Sequence, residues 1–525
     1  MEFIKIDNLS FSYPHKKNVL KNISFNIDKG DFVLLFGKSG SGKSTLLKHL
    51  SISLAPYGEK KGKIYYKGIE SENISLKERC EKIGYVMQNI DAQIVTDKVW
   101  HELAFTLENL GYDNAKMHSR MAEITSFFSM SSWLDKDTSS LSGGEKQKLN
   151  LAVSMLTFPD VLLLDEPTSQ LDPVMRDEFI RLLKRINEDY GTTIIITEHS
   201  FEGIIENVDK CVLIDNGRFV FNSDKLSLTD EIIENKKQYY EFLPAVTKFG
   251  HEILNKNNIL TVNEAKKNLI KSNINLKEKI GKIKHRSKES IIEVKNVSFK
   301  YSKLERNILK DVSLKIYKGD FLSIIGPNGV GKSTFLNLLI GSLKPNKGKI
   351  IKNGKIAMLP QNPVSLFIKS KVKDDLYDID ENYMELVDEF DVSSLIESHP
   401  YDLSGGEIEL MALIKVLLVN PDIIILDEPT KGMDVIYKQK LGGFLNKLNE
   451  KGITIVIISH DLEFIGKYIP YCSIMFDMDI MPFKETREVF GESYFYTTDI
   501  NRITKDNLKN IINLHEVFID ENKTV

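Results

Sequence analysis

Cysteine is scarce. There are 3 among 525 residues, Cys80, Cys211 and Cys472, far apart and without a CxxC pair. That argues against a disulfide framework, an iron–sulfur cluster or a cysteine-rich zinc site. Neither sign of charge is in excess. Lys and Arg number 70 against 74 Asp and Glu, a net of −4. A uniformly basic nucleic-acid coat is therefore excluded, although a local patch can hide inside the sum. Long apolar runs are missing too. The longest are short, such as Val161-Leu-Leu-Leu164 and Ile453-Thr-Ile-Val-Ile-Ile458, whereas a membrane helix needs about 20 apolar residues. The chain is not expected to cross a bilayer alone. Its start, Met1-Glu-Phe-Ile-Lys-Ile6, has no basic region followed by an apolar core, so a cytoplasmic location is expected. What is present is ordinary. With 42% hydrophobic and 27% charged residues, a soluble globular protein is expected rather than a disordered chain. At roughly 150 residues per domain, length alone predicts three or four domains.

An internal repeat changes that count. Gly37-Lys-Ser-Gly-Ser-Gly-Lys-Ser-Thr45 returns as Gly326-Pro-Asn-Gly-Val-Gly-Lys-Ser-Thr334. Leu141-Ser-Gly-Gly-Glu145 returns as Leu403-Ser-Gly-Gly-Glu407, and Leu164-Asp-Glu-Pro-Thr168 as Leu426-Asp-Glu-Pro-Thr430. Glu198-His199 corresponds to Ser459-His460. The Ser-Gly-Gly serine precedes the Asp-Glu glutamate by 24 residues in both copies, and the glutamate precedes its histidine by 33 and 32. The copies differ between the glycine loop and Ser-Gly-Gly, where 99 residues in the first shrink to 72 in the second. The losses match Tyr57 to Lys82 and the stretch after Leu110.

Apolar strands are expected at 33–36, 160–164 and 192–197 and at their second-half equivalents, with helices at 44–50 and 333–340 after the glycine loops. Continuous apolar strands alternating with helices fit a parallel sheet covered on both faces. Each half reads as an α/β nucleotide-binding domain with a mostly helical insertion.

A strand, then GxxxxGK[ST], then a helix is a phosphate cradle. Gly37, Gly40, Gly42 and Gly326, Gly329, Gly331 let backbone N–H groups approach phosphates, and the helix start favours their charge. Lys43 and Lys332 reach the β- and γ-phosphates. Ser44 and Ser333, followed by Thr45 and Thr334, are placed for Mg²⁺ and phosphate. Asp165 and Asp427 end apolar strands, where a carboxylate holds Mg²⁺ or its water shell. Glu166 and Glu428 follow directly and are placed to polarise an attacking water. His199 and His460, in register after a third strand, read as γ-phosphate contacts. Ser142-Gly143-Gly144 and Ser404-Gly405-Gly406 open apolar helices and offer N–H donors to an anion. A phosphate loop needs no second anion site in its own domain, so these point to the nucleotide of the other half.

These residues resemble the ATP-binding cassette (ABC) ATPases over nearly the whole chain. The resemblance implies two P-loop domains, each with a mainly parallel sheet, an antiparallel β part and a helical part. It implies that they close head to tail around two ATP molecules. Lys43, Ser44, Gln88, Asp165, Glu166 and His199 would face Ser404, Gly405 and Gly406. Lys332, Ser333, Gln361, Asp427, Glu428 and His460 would face Ser142, Gly143 and Gly144. Gln88 and Gln361 would serve Mg²⁺ and the water, while Tyr13 and Tyr301 would stack on adenine.

The closer likeness is to duplicated ATPases of energy-coupling-factor importers, which take up vitamins and metal ions. It is carried by Asn89-Ile-Asp-Ala-Gln-Ile-Val-Thr-Asp-Lys-Val-Trp100, Phe105-Thr-Leu-Glu-Asn-Leu-Gly111, Thr430-Lys-Gly-Met-Asp434 and Arg487-Glu-Val-Phe-Gly-Glu-Ser-Tyr-Phe-Tyr-Thr-Thr498. It implies a transmembrane coupling subunit and a substrate-binding membrane subunit as partners, at the cytoplasmic face of the membrane, and no specific nucleic acid. A helix from Asp91 to Leu110 is a candidate contact, with Val99, Leu103 and Leu107 as core and Asp91, Gln93 and Trp100 facing the partner.

The second half departs from the pattern at Ile408-Glu-Leu410 and Asn362-Pro-Val-Ser-Leu-Phe367, so the halves need not contact partners equally. Rivals are a ribosome-associated two-cassette translation factor and a fused-cassette ATPase of a sugar importer. The expected division is 1–225 and 291–495 as cassettes, 226–290 as connector and 496–525 as tail, with a helix and a loose end. Residues 247–290 carry 11 Lys plus Arg against 4 Asp plus Glu, a patch suited to RNA or anionic lipid.

Overall fold

The computed structural model describes residues 2–14, 18–199, 201–281, 286–302 and 306–520. It separates into two compact units, 1–244 and 245–525.

In the first unit a six-stranded sheet runs in the order Arg218–Asp224, Lys210–Asp215, Phe32–Phe36, Thr193–Thr197, Val161–Asp165, Ile83–Val86. All neighbours are parallel except the Arg218–Asp224 hairpin strand. Phe32–Phe36, Val161–Asp165 and Thr193–Thr197 are buried along their whole length. This is why they read as unbroken apolar runs rather than alternating ones. A four-stranded antiparallel sheet built on Glu2–Ser12 packs its alternate residues Ile4, Ile6, Leu9 and Phe11 into the same core as Leu46, Leu47 and Leu50. Those three leucines lie on the helix Lys43–Ser51, which follows the glycine loop.

The insertion is only partly helical. Glu59–Tyr66 joins the antiparallel sheet and Ile83–Val86 edges the parallel one before the helices Val99–Asn109 and Asn114–Phe127 begin. The helix expected from Asp91 to Leu110 is broken. Ile90–Gln93 is a single turn, and the next helix starts at Val99. The cause is Glu102, buried, whose Oε2 accepts from Val95 N (3.1 Å), Thr96 N (2.8 Å) and Thr96 Oγ1 (2.8 Å). It takes the N–H groups that a continuing helix would use. Val99, Leu103 and Leu107 are fully buried.

The second unit repeats the plan with Ile356–Leu359, Ile423–Asp427, Thr454–Ile458, Phe321–Ile325 and Tyr471–Phe476 in parallel. A three-stranded antiparallel sheet covers it, with Ser290–Phe299 in the middle. The shortening is visible as a direct passage from Lys347–Lys352 to Ile356–Leu359, and as a six-residue helix, Met384–Glu389, in place of the long second insertion helix.

Residues 226–244 of the expected connector belong to the first unit. The remainder folds with the tail. Helices Ala245–Leu254 and Val262–Ser272 share one core with Ile500, Ile503, Ile511 and Val517. Leu276–Glu278 pairs antiparallel with Val517–Ile519. Arg286 then fastens the chain to the second cassette by a bidentate pair with buried Asp320 (2.9 and 2.5 Å), its guanidinium against Tyr317 and Tyr471. Lys282 and Lys284 of the basic patch, and residues 521–525 of the expected loose end, lie outside the described residues.

Candidate nucleotide sites

Each glycine loop leaves a buried strand and enters a helix. Gly37 has φ +145°, and a Cβ there would meet Ile214 O at 2.0 Å, so only glycine fits. Lys43 opens the helix and folds back on the loop, donating to Gly37 O (2.9 Å) and Lys38 O (3.1 Å). Lys332 does the same to Gly326 O (2.9 Å) and Pro327 O (2.8 Å). Tyr13 OH lies 3.2 Å from Thr45 Oγ1, and Tyr301 OH lies 3.1 Å from Thr334 Oγ1. Both tyrosines thus sit at the rim of their loops.

In the first cassette the acidic strand end is densely bonded. Asp165 Oδ1 accepts from Ser44 Oγ (2.8 Å) and Thr197 Oγ1 (2.8 Å), and Oδ2 from Tyr85 OH (3.3 Å). Burial and the Glu166 charge push the Asp165 carboxyl up, against the Ser44 and Thr197 hydrogen bonds. Glu166, at φ +46°, turns off the strand and meets Gln88 Nε2 at 2.6 Å and His199 Nε2 at 2.6 Å. Burial pushes its carboxyl up, but His199, Lys43 and Gln88 outweigh this and hold it below the ordinary range. His199 and Glu166 are both nearly buried. Here the structure brings together Lys43, Ser44, Gln88, Asp165, Glu166 and His199.

The second cassette places the same residue types with fewer contacts. Burial pushes Asp427 up; Ser333, Lys332 and Lys431 pull it back. Its Oδ1 is buried without a hydrogen-bond partner among the described residues. Glu428 Oε2 accepts from His460 N (3.1 Å), while Oε1 accepts nothing, although His460 Nε2 is 3.1 Å away. Burial raises the Glu428 carboxyl to about 7, opposed by Lys332 and reinforced by Asp427. Gln361 is exposed, and no hydrogen bond to Glu428 is described.

Ser142 and Ser404 are helix caps. Ser142 Oγ donates to Glu145 Oε2 (2.9 Å) and accepts from Glu145 N (3.3 Å). Ser404 Oγ donates to Glu407 Oε2 (2.7 Å) in an equivalent box. Gly144 packs on Met175, and a Cβ there would lie 1.8 Å from its Cε. Gly406 faces Tyr437. A Cβ on Gly143 would meet nothing within 4 Å, whereas one on Gly405 would come within 3.2 Å of Gly432 O.

The donor set suits Mg²⁺. Serine hydroxyls and aspartate carboxylates are hard oxygens, and the orphaned Asp427 Oδ1 leaves a buried lone pair for a cation. Two residues beyond the motifs, Tyr85 and Thr197, complete the first site, joined through Thr168 by Glu198 of the histidine motif. Glu198 Oε1 accepts from Thr168 N (3.1 Å) and Oγ1 (2.7 Å). A polar residue closing an apolar strand was the available signal for Thr197; Tyr85 carried none.

A buried strand, a glycine cradle with its lysine, and a following Asp-Glu strand end define each unit as a P-loop nucleotide-binding domain. Comparison with known proteins narrows this. The ABC transporter family model matches residues 20–169 and 309–431. An ABC transporter ATP-binding protein of Bacillus thuringiensis subsp. konkukian is 37% identical, over 98% of this chain and 97% of that one. One from Clostridium perfringens is 32% identical over 86% and 85%. The chain belongs to the ABC transporter family, as an ATP-binding, ATP-hydrolysing subunit with two cassettes, which implies membrane transporter partners. An archaeal ribosome recycling factor, solved with a ribosomal stalk protein, shares the fold (TM-score 0.61, 23% identity, 92% and 91% coverage). Among the described residues no helix is long and apolar enough to cross a membrane.

Proposed function

We propose that this protein energises an energy-coupling-factor importer for a vitamin or metal ion, from the cytoplasmic face of the membrane. ATP binding closes the cassettes head to tail, and hydrolysis with product release opens them. Lys43, Ser44, Gln88, Asp165, Glu166 and His199 then work against Ser404, Gly405 and Gly406. Lys332, Ser333, Gln361, Asp427, Glu428 and His460 work against Ser142, Gly143 and Gly144. Tyr13 and Tyr301 stack on adenine. Phosphoryl transfer needs positioning and electrostatics more than covalent help. Glu166 polarises the water that Gln88 and His199 hold, and Glu428 has the same task beside His460. Mg²⁺, when bound, neutralises charge on the phosphates; Ser44, Gln88 and Asp165, and Ser333, Gln361 and Asp427, would hold it.

The importer rests on the stretch after Gln88. It forms a tight turn and then exposes Val95 (63%) and Trp100 (40%) to solvent. A helix end of a membrane coupling subunit would dock there. Asp91 is exposed but pairs with Lys146 at 2.7 Å, and the Gln93 side chain turns inward. The partner-facing residues are therefore Asp91, Val95 and Trp100.

The test is purification of the tagged full chain from detergent-solubilised membranes. Integral membrane proteins, including a separate substrate-binding subunit, should co-elute with the ATPase. Ribosomes without membrane proteins would replace the importer with a translation factor.

A further inference from the structure

We propose that Gln93 is a positioning residue for hydrolysis in the first cassette, at the head of a polar ladder from the Ser-Gly-Gly helix to Glu166. The Gln93 amide spans both sides of a strand end. Its Oε1 accepts from Met87 N (2.8 Å), and its Nε2 donates to Tyr85 O (3.0 Å). Met87 directly precedes Gln88, whose Nε2 reaches Glu166 Oε2 at 2.6 Å. Locking Met87 therefore sets the point from which the Gln88 side chain departs.

The turn that carries Gln93 is held in its turn by the helix Gly143–Met155. Lys146 Nζ donates to Asp91 Oδ1 (2.7 Å) and Asn150 Nδ2 to Ile90 O (3.1 Å). Ser154 Oγ shares its proton between Tyr85 O (3.0 Å) and Asn150 O (2.9 Å). Lys146, Asn150 and Ser154 are spaced i, i+4, i+8, one face of a helix. The equivalent face in the second cassette is Ile408, Ala412 and Val416, all buried in its core. Leu366 stands where Gln93 does, and Val364 where Asp91 does. The exchange is concerted: every rung is polar in one copy and apolar in the other. Hydrogen bonds hold one register, whereas apolar side chains tolerate sliding. The ladder thus accounts for Gln88 resting on Glu166, a contact that Gln361 and Glu428 do not make among the described residues.

The inference depends on Glu166 being the residue that polarises water. The test uses the full chain, with steady-state ATPase, binding of a fluorescent ATP analogue and thermal unfolding measured together. Gln93→Leu removes both bonds at similar size. It should lower kcat about tenfold, with KM and analogue affinity within about twofold and an unchanged melting temperature. Gln93→Glu keeps the acceptor for Met87 N and should recover kcat to within about threefold of wild type. Wild-type kcat in Gln93→Leu would overturn the proposal. So would losses of affinity and melting temperature in step with kcat, the mark of a merely structural residue. Should Gln93→Leu fail to fold, Gln93→Met, which also removes both bonds, takes its place with the same expected fall in kcat, and a wild-type kcat there overturns the proposal. Glu166→Gln is the control. If it turns over at the wild-type rate, Glu166 loses its role and this inference falls with it. If it is inactive while Gln93→Leu is wild type, the ladder alone falls.

Discussion

Asp165 and Asp427 end equivalent strands inside the same five-residue motif, yet one has three hydroxyl donors and the other an unpartnered oxygen. The difference lies outside the motifs. Thr197 becomes Ile458, and Tyr85 becomes Met358. The glutamates that follow diverge in the same way. Glu166 is gripped by Gln88 and His199, whereas Glu428 meets the backbone N–H of His460 on one oxygen and His460 Nε2 at a longer 3.1 Å on the other, with no bond from Gln361 among the described residues. Identical motifs therefore do not make identical sites. Their neighbours decide how tightly each carboxylate is bonded and in which direction its pKa moves.

The largest effect should come from removing both carboxylates. Glu166→Gln with Glu428→Gln should keep ATP binding and lower steady-state hydrolysis at least about 100-fold. Hydrolysis undiminished in the pair would end the assignment of both. The single variants then rank the two sites directly, and a deeper loss from Glu166→Gln would match its fuller set of contacts.

The helical parts differ enough to predict an unequal response to one substitution. Asp375 is buried, caps Ile368 N (3.2 Å) and Lys369 N (2.9 Å), and pairs with Lys415 at 2.7 Å. Its first-cassette counterpart, Glu102, caps Val95 and Thr96 with no such lysine; Val153 stands where Lys415 does. Lys415→Met should cost about 3 kcal/mol by leaving a buried charge unpaired, while Val153→Met should stay below about 1.5 kcal/mol. Urea unfolding measures both, and equal costs would erase the contrast.

The smallest effect is a difference of sign. Glu166 sits below its ordinary range, so its ionised form stabilises the fold above that range, and this is lost as pH falls through the lowered value. Glu428 is raised to about 7, so its neutral form stabilises fully below pH 4.5 and this is lost as pH rises through 7. At pH 8 Glu166→Gln should destabilise and Glu428→Gln should stabilise. Thermal melts at pH 5 and pH 8 check it; shifts of the same sign at pH 8 would show that the two carboxyls are alike.

The two P-loop domains were legible because their chemistry demands residues with few substitutes: glycine where φ is positive, lysine and serine behind it, acids at a strand end. The break at Glu102 was not. A glutamate in a helical stretch gives no local sign that its oxygen will take two backbone N–H groups. Gln93 misled for a related reason. A polar residue beside a proposed partner contact looks exposed until the strand end it clasps is known. The connector, read as a basic patch suited to RNA or anionic lipid, hid a core because its apolar partners lie more than 200 residues onward.

That shared core sets an order of events during synthesis. Domains fold as units, N-terminal first, as the chain emerges. The core formed by Ile4, Leu35, Leu46 and Ile214 lies within residues 1–244 and can close early. Helices Ala245–Leu254 and Val262–Ser272 emerge next but lack Ile500, Ile503, Ile511 and Val517 until the whole second cassette has been made. Closing so long a loop is slow. For that interval Val246, Phe249 and Leu269 stand uncovered, and the lobe they belong to is the last part of the chain to become protected from proteases and chaperones.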